Sequence, residues 1–414
     1  MTSQFTQQNV DVLIIGAGPS GTMAACLLQQ QGIKVLVVEK QTFPRFSIGE
    51  SLLPQSMEFL EKADMLAAFE DDKFQFKNGA AFRCGDQYTE FNFTEKFSPG
   101  PGTTYQVQRA NFDKNLADIA QKKGVEIRFQ HEVLNVTPDS KTPNATIKSA
   151  QGQLYQVNAK FILDASGFGR VLPRLLDLEY PSDFPIRKSV FCHIQDNIDD
   201  NTFDRNKILV TVHPSHKDVW FWSIPFANGT CSLGVVAEPH VIDQLEGSSQ
   251  DKLFALIGQT PTLAHLLTNA KVITPVQEIT GYSANVKSLH GDGYALLGNA
   301  GEFLDPVFSS GVTIAFKSAD MAAQLVCQHL AGLPVNWQTD YAEPLKKGVD
   351  TFRTFVNAWY DTRFQDIIFF EQASSEVRAM ICSILAGYAW DTNNPYVAQS
   401  ERRLGVLAEI CKAN

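Results

Sequence analysis

Asp11-Val-Leu-Ile-Ile15 runs directly into Gly16-Ala-Gly-Pro-Ser-Gly21, and this junction decides the fold. Five residues ending in a continuous apolar run are the length of a buried strand. The following stretch, Thr22 to Gln31, is spaced as a helix that stops at Gly32. A second apolar run, Lys34-Val-Leu-Val-Val-Glu39, follows as the next strand. Strand, glycine turn, helix and strand make a βαβ unit of the dinucleotide-binding type. Gly16 permits the tight turn, Gly18 lets a pyrophosphate approach the backbone, and Gly21 lets helix and strand pack closely. Pro19 and Ser20 complete the turn, and the helix N-terminus presents free N–H groups to phosphate. Glu39, closing the second strand, is placed to bind ribose hydroxyls and to disfavour a 2′-phosphate; Lys40 beside it is counted with the cofactor residues. A tight βα turn without a ligand is the alternative reading of these glycines.

Outward from this unit, Ala110–Lys123 reads as a helix and Val125–Phe129 as a strand. Two strands flank the turn at Gln151-Gly-Gln153. Phe161-Ile-Leu-Asp164 is another buried strand, entering the small-residue turn Ala165-Ser-Gly-Phe-Gly169. Between about 180 and 280 the pattern changes to strands at 189–195, 208–213, 218–224 and 229–237, with helices near 240–269. Tyr294-Ala-Leu-Leu-Gly298 and a long helix from Gly311 to Leu330 then resume the first pattern. The expectation is an α/β protein in three parts. A discontinuous dinucleotide-binding lobe covers residues 8–180 and 275–335. An antiparallel β-sheet substrate lobe covers 181–274 and takes in strands near 79–93. A helical C-terminal region, 336–414, carries no motif. At 414 residues the chain exceeds what a single core usually holds.

Composition narrows the function. A net charge of −10 with no basic run gives no support to nucleic-acid binding. Seven scattered cysteines without a C-x-x-C pair fit reduced thiols in the cytoplasm better than a disulfide frame or a zinc site, and no metal centre is expected. Met1–Asn9 lacks the pattern of a signal peptide, and no stretch approaches the ~20 apolar residues that span a bilayer. The 29 phenylalanines suit a well-filled core with room for an aromatic or greasy ligand.

The remaining motifs carry a family resemblance. Asp164-Ala-Ser-Gly167 resembles the second flavin motif of the para-hydroxybenzoate hydroxylase-like flavoproteins. Gly298-Asn-Ala300 stands where they carry Gly-Asp-Ala before a helix, with Asn299 replacing the usual Asp. Arg109, in Gln106-Val-Gln-Arg109, matches an arginine that this superfamily places near the flavin. The implied cofactor is FAD. There is no second G-x-G-x-x-G at a strand–helix junction, so either a nicotinamide visits transiently or reduced FAD comes from a separate reductase.

Three features then resemble the flavin-dependent halogenases, closest to those acting on phenols or pyrroles. Trp220, Trp222, Ile224 and Pro225 form W-x-W-x-I-P. Phe303-Leu-Asp-Pro306-Val-Phe-Ser309-Ser-Gly311 fits F-x-x-P-x-x-S-x-G, with Ser310 inside it and Val312 opening the helix beyond. Lys77, in Phe76-Lys-Asn-Gly-Ala-Ala-Phe82, stands at the position of the family's catalytic lysine, and Arg45-Phe-Ser-Ile48-Gly-Glu-Ser51 is also typical of the group. The resemblance implies that reduced FAD and oxygen oxidise a halide held by the Ser309, Ser310 and Gly311 backbone to hypohalous acid. Trp220 and Trp222 keep the organic substrate from the flavin. Lys77 relays the halogen to an electron-rich aromatic ring, free or bound to an acyl-carrier protein. The flanking Phe76 and Gly-Ala-Ala run suggest that Lys77 is buried, which lowers a lysine pKa. Each feature has a plainer reading: an aromatic core strand, N–H groups bound to the flavin O2 atom, a solvated lysine. Two other activities share the superfamily: reduction of isoprenoid or polyene double bonds, as in geranylgeranyl-reductase-like proteins, and aromatic monooxygenation.

Overall fold

The computed structural model describes residues 6–70, 73–198 and 203–413. The strand Val12–Ile15 is buried on both faces: Val12 and Ile14 enter one hydrophobic cluster, Leu13 and Ile15 another. That is why it reads as an unbroken apolar run rather than an alternating one. It lies inside a six-stranded sheet in the order His290–Gly291, Tyr294–Leu296, Phe161–Asp164, Val12–Ile15, Val35–Glu39, Glu126–Phe129. All neighbours are parallel except the short first pair. The helices Pro19–Gln30, Arg109–Lys122 and Gly311–Leu330 pack together on one side. A four-stranded sheet that includes Thr6–Asn9, a strand the polar N-terminal sequence did not signal, contributes to the core on the other.

The first helix begins at Pro19, three residues before the expected start at Thr22. Proline at the first helical position has its φ already set and no N–H to leave unsatisfied. Pro19, Ser20 and Gly21 are therefore the helix's first turn rather than the loop before it.

The second large sheet is eight-stranded. Along its main path run Lys271–Val272, Lys188–Gln195, Thr230–Ala237, Trp220–Pro225, Lys207–Val212, Gly79–Cys84 and Gln87–Asn92, with Gln277–Thr280 also pairing with Lys188–Gln195. It is antiparallel except between Lys207–Val212 and Gly79–Cys84. Side chains alternate across it. Trp220, Trp222, Ile224, Val210, Phe82 and Phe191 face the largest core, which also takes in the C-terminal helices, while Phe221, Leu233 and Val235 face a separate cluster under Ser249–Gly258. Among the described residues no helix is long and apolar enough to cross a membrane.

Candidate active site

The glycine turn is shaped by steric necessity. Gly16 has φ +99, and a Cβ on it would lie 2.6 Å from the Ala165 carbonyl oxygen; a Cβ on Gly21 would lie 2.0 Å from the Gly16 carbonyl oxygen. Above Gly18 the space is open, and the first atom a Cβ would meet is Arg45 Nη2 at 3.5 Å. No side chain caps the helix at Gly18. Bare N–H groups, an open glycine face and a guanidinium beside it fit a dinucleotide pyrophosphate. Glu39 accepts from Ala17 N at 2.9 Å with Oε2 and from Gln41 N at 2.9 Å with Oε1. These bonds fix the carboxylate beside the turn and leave lone pairs for ribose hydroxyls. Lys40 points away to an exposed ion pair with Glu132, 2.8 Å.

Asp164 is fully buried, and both of its oxygens accept backbone N–H groups: Ser166 at 2.9 Å and Leu172 at 2.7 Å. Burial raises its pKa against the effect of these bonds. Its carboxylate is engaged in shaping the turn at Ala165–Gly169. Gly298, at φ +50, comes so close to the helix Gly311–Leu330 that a Cβ would lie 2.9 Å from Ala315 Cβ; its N–H is held by Ser318 Oγ at 2.9 Å. Asn299 Oδ1 lies 3.8 Å from where a Gly311 Cβ would stand, so this turn and the helix start share one corner.

That helix start is likewise uncapped by any side chain, and its first bond runs from Ile314 N to Ser310 O at 2.9 Å. Ser309 turns the chain into it in the left-handed conformation, φ 56, after a single turn opened by Pro306. The N–H groups of Gly311, Val312 and Thr313 thus precede the helical ladder, as an anion or a carbonyl oxygen requires.

One segment, Arg45–Ser56, connects all these parts. Arg45 lies over Gly18 and pairs with Asp113 at 3.3 Å. Arg109 donates to Ile48 O at 2.7 Å while its Nε holds Asp113 at 2.7 Å, and the absent side chain of Gly49 leaves room for Arg109 Nη1 and Val312 Cγ2. Ser56 Oγ and Thr313 Oγ1 are 2.9 Å apart. Between them, Lys77 Nζ donates to Ser51 Oγ at 2.8 Å and to Leu52 O at 2.7 Å.

Lys77 is 0% exposed, on the strand Gln75–Lys77 that pairs with Thr104–Gln106. Its ammonium sits over the Phe93 ring at 5.4 Å, and burial alone pushes its pKa down to about 7. The lysine is buried as expected, but Phe76 does not cover it. Adjacent strand residues point to opposite sides, and Phe76 is 43% exposed. On the sheet, Trp220 and Trp222 are buried with ring centroids 6.1 Å apart. Trp222 Nε1 donates to Ser232 Oγ at 3.1 Å, and its ring fills the place of a Gly234 side chain, 2.2 Å from where the Cβ would be.

A family profile described as an FAD binding domain matches residues 9–312. The chain belongs to the FAD-binding domain family. The FAD-binding chain is 26% identical over 384 residues to a 1H-pyrrole-2-carbonyl-[peptidyl-carrier protein] chlorinase of Pseudomonas fluorescens, covering 86% of this chain and 84% of that protein. A brominase of the same description from Pseudoalteromonas luteoviolacea is 29% identical over 343 residues, covering 81% and 80%. Among solved structures, a flavoprotein/dehydrogenase of Cytophaga hutchinsonii superposes with a TM-score of 0.94 at 42% identity, covering 98% of this chain and 99% of that one. The FAD-binding chain is thus a flavin-dependent oxidoreductase homologous to halogenases.

Three further participants in the site were not singled out from the sequence. His193 and Glu50 meet at 2.7 Å, on the sheet face that carries Phe191 and Trp222, with Phe46 stacked on Phe191 at 6.0 Å. Tyr360 comes from the C-terminal region. Only the Arg45–Ser51 run could have pointed to Glu50; His193 and Tyr360 stand in no motif. Burial disfavours the His193 imidazolium, but the Glu50 carboxylate more than offsets it and raises the pKa above the ordinary histidine value. A histidine raised by a partner contributes stability that is present at low pH and is lost as pH rises through its folded pKa. Glu50→Gln removes the charge responsible, so we expect His193 to titrate at lower pH in the variant. An unchanged His193 titration by NMR would rule this pairing out.

Proposed function

We propose that the chain is a flavin-dependent halogenase acting on an electron-rich aromatic ring, a phenol or pyrrole, with Lys77 as the residue that delivers the halogen. The observation that carries this reading is the environment of Lys77: wholly buried, without a carboxylate partner among the described residues, and hydrogen-bonded by a hydroxyl and a carbonyl, with its pKa brought to about 7. A purely structural buried cation would be paired. Near neutral pH such a lysine is divided between ammonium and amine, and so can either polarise an oxidant or bond to the halogen.

FAD, when bound and reduced, supplies the two electrons with which oxygen oxidises the halide. The overall reaction balances with substrate C–H, halide, oxygen, reduced FAD and one proton giving the carbon–halogen bond, two waters and oxidised FAD. The chain's own residues divide the remaining work. The glycine turn, Glu39 and Arg45 hold the dinucleotide, and Arg109 braces the Ile48–Gly49 backbone beside the helix start. The free N–H groups at Ser310 and Gly311 hold the halide, the expected third donor, Ser309 N, being already bonded to Pro306 O at 3.0 Å. Trp220 and Trp222 form a packed aromatic face that keeps the organic ring from the flavin, so that only a small oxidised halogen passes to Lys77. Ser51 Oγ and Leu52 O fix the direction of Lys77 Nζ.

The carrier-protein substrates of the Pseudomonas and Pseudoalteromonas relatives make a carrier-bound pyrrole one form to test here alongside free phenols. Because no second dinucleotide turn is present in the sequence, we assign the supply of reduced FAD to a separate reductase. The cysteines are all free, in keeping with a cytoplasmic setting.

The test needs no organic substrate. The FAD complex is reduced without air, mixed with oxygen, and its absorbance followed with and without bromide or chloride. We expect halide to accelerate the return of oxidised flavin in a saturable way. A slow return indifferent to halide would favour a monooxygenase, and an immediate return in both cases the polyene reductase.

A further inference from the structure

The C-terminal region contributes one side chain that joins two parts of the site. Tyr360, the last residue of the helix Glu343–Tyr360, is half-buried, with its hydroxyl held between Asp305 and Trp220. Its OH donates to Asp305 Oδ2 at 2.8 Å and accepts from Trp220 Nε1 at 3.1 Å. Asp305 Oδ1 in turn accepts from Val307 N at 3.0 Å, inside the turn that ends at Ser309. The Arg187 guanidinium covers the Tyr360 ring at 3.9 Å and faces Asp305, and Arg187 is itself anchored to Asp218 at 3.1 Å. Neighbouring Trp359 closes the same junction from below, packing against Trp220, Phe82 and Phe308.

We propose that Tyr360 is a positioning residue for halide use: through Asp305 it fixes the 305–311 turn whose N–H groups receive the anion, and through Trp220 it locks that turn to the tryptophan strand. This rests on the halogenase reading. The physical argument concerns the turn. Ser309 is a non-glycine residue held in the left-handed region, a conformation that persists only where the surroundings enforce it. Among the described residues, the turn is held from outside by the Tyr360–Asp305 bond, by the Ser283 Oγ bond to Leu304 O at its entry, and by the core packing of Val307 and of Phe308 against Phe355, Trp359 and Phe364. Asp305 is fully buried, and burial pushes its pKa up to about 6 even with Tyr360, the Val307 N–H and Arg187 favouring its charged form. Removing the tyrosine hydroxyl leaves one carboxylate oxygen and one indole N–H in the interior without a partner, so both groups have reason to move. The halide pocket is made of backbone N–H groups, so its shape depends on how these restraints hold the turn.

Tyr360→Phe tests this with two readouts on the FAD-loaded protein. FAD affinity is read by flavin fluorescence, and halide use by the bromide concentration that half-saturates the acceleration of flavin reoxidation. We expect FAD affinity unchanged within about twofold and half-saturating bromide raised about tenfold, which corresponds to about 1.4 kcal/mol. Asp305→Asn, which keeps the side chain's shape, should give a similar rise. The double variant should be no worse than the stronger single one, because both act through the same bond. If wild-type reoxidation ignores bromide, the halogenase reading itself fails. If wild type saturates and Tyr360→Phe saturates at the same concentration, or if the double variant shows the product of the two single effects, the positioning role is wrong. Should Tyr360→Phe not fold, Asp305→Asn carries the decision: an unchanged bromide requirement there overturns the proposal.

Discussion

Lys77→Met should bind FAD as wild type does, yet lose halogenated product by about 1000-fold, within the range expected when a positioned acid–base or nucleophilic side chain is removed. The same variant should melt higher than wild type. Lys77 is entirely buried and its pKa is lowered from 10.5 to about 7 by burial alone. Between about pH 7 and about pH 10 the unfolded chain holds a proton on this lysine that the folded chain does not, so wild-type stability rises with pH across that window. Below about pH 7 the whole penalty is present, about 5 kcal/mol from a shift of this size at 1.36 kcal/mol per unit. Met, similar in length and uncharged, removes it. The gain is partly offset because Ser51 Oγ and Leu52 O lose the ammonium. The excess melting temperature of the variant should therefore be largest at or below neutral pH and shrink toward alkaline pH. Melting curves at several pH values measure this directly; a constant difference would show that Lys77 does not carry the assigned pKa. Retained product formation would remove it from the chemistry.

Gly21→Ala is expected to weaken FAD binding by about 100-fold or more, about 2.7 kcal/mol, in a protein that still folds. The added methyl would lie 2.0 Å from the Gly16 carbonyl oxygen and 3.2 Å from Ala165 Cβ. The first is backbone and the second is held by the adjoining strand, so neither can swing aside. The helix Pro19–Gln30 has to retreat, taking with it the N–H groups aimed at the pyrophosphate. Gly32→Ala provides the contrast. Gly32 has φ +72 but no atom within 4 Å of a Cβ, so the cost is backbone strain of about 1 kcal/mol with FAD affinity kept. Flavin fluorescence titrations of the two variants separate contact from strain. Equal affinities would mean that the close helix–strand packing at Gly21 does not shape the phosphate cradle.

The elements that bury apolar residues on both sides or alternate strictly were legible from sequence. The strand Val12–Ile15, the helix Gly311–Leu330 and the strand Trp220–Pro225 lie within a residue or two of their expected positions. Local periodicity is set by which faces are buried, and burial is written in residue type. The burial of Lys77 was also legible, though for the wrong reason: the cover comes from Phe93, Ser51 and Leu52 rather than from Phe76. Asp164 stands where the flavin motif led us to look, but its two carboxylate oxygens are engaged by Ser166 and Leu172. A motif gives the position of such a residue and leaves open which atoms it offers.

By itself the sequence determined a glycine turn that only glycine can make, because a Cβ at Gly16 or Gly21 would meet backbone within 3 Å. It likewise determined the alternation that puts both tryptophans on one sheet face. Only the tertiary structure decided which groups meet at long range: Ser51 with Lys77 across 26 residues, Glu50 with His193 across 143, and Tyr360 with Trp220 across 140. Such pairs follow no period, because side chains brought together by packing are chosen by the shape of the folded core and not by their spacing along the chain.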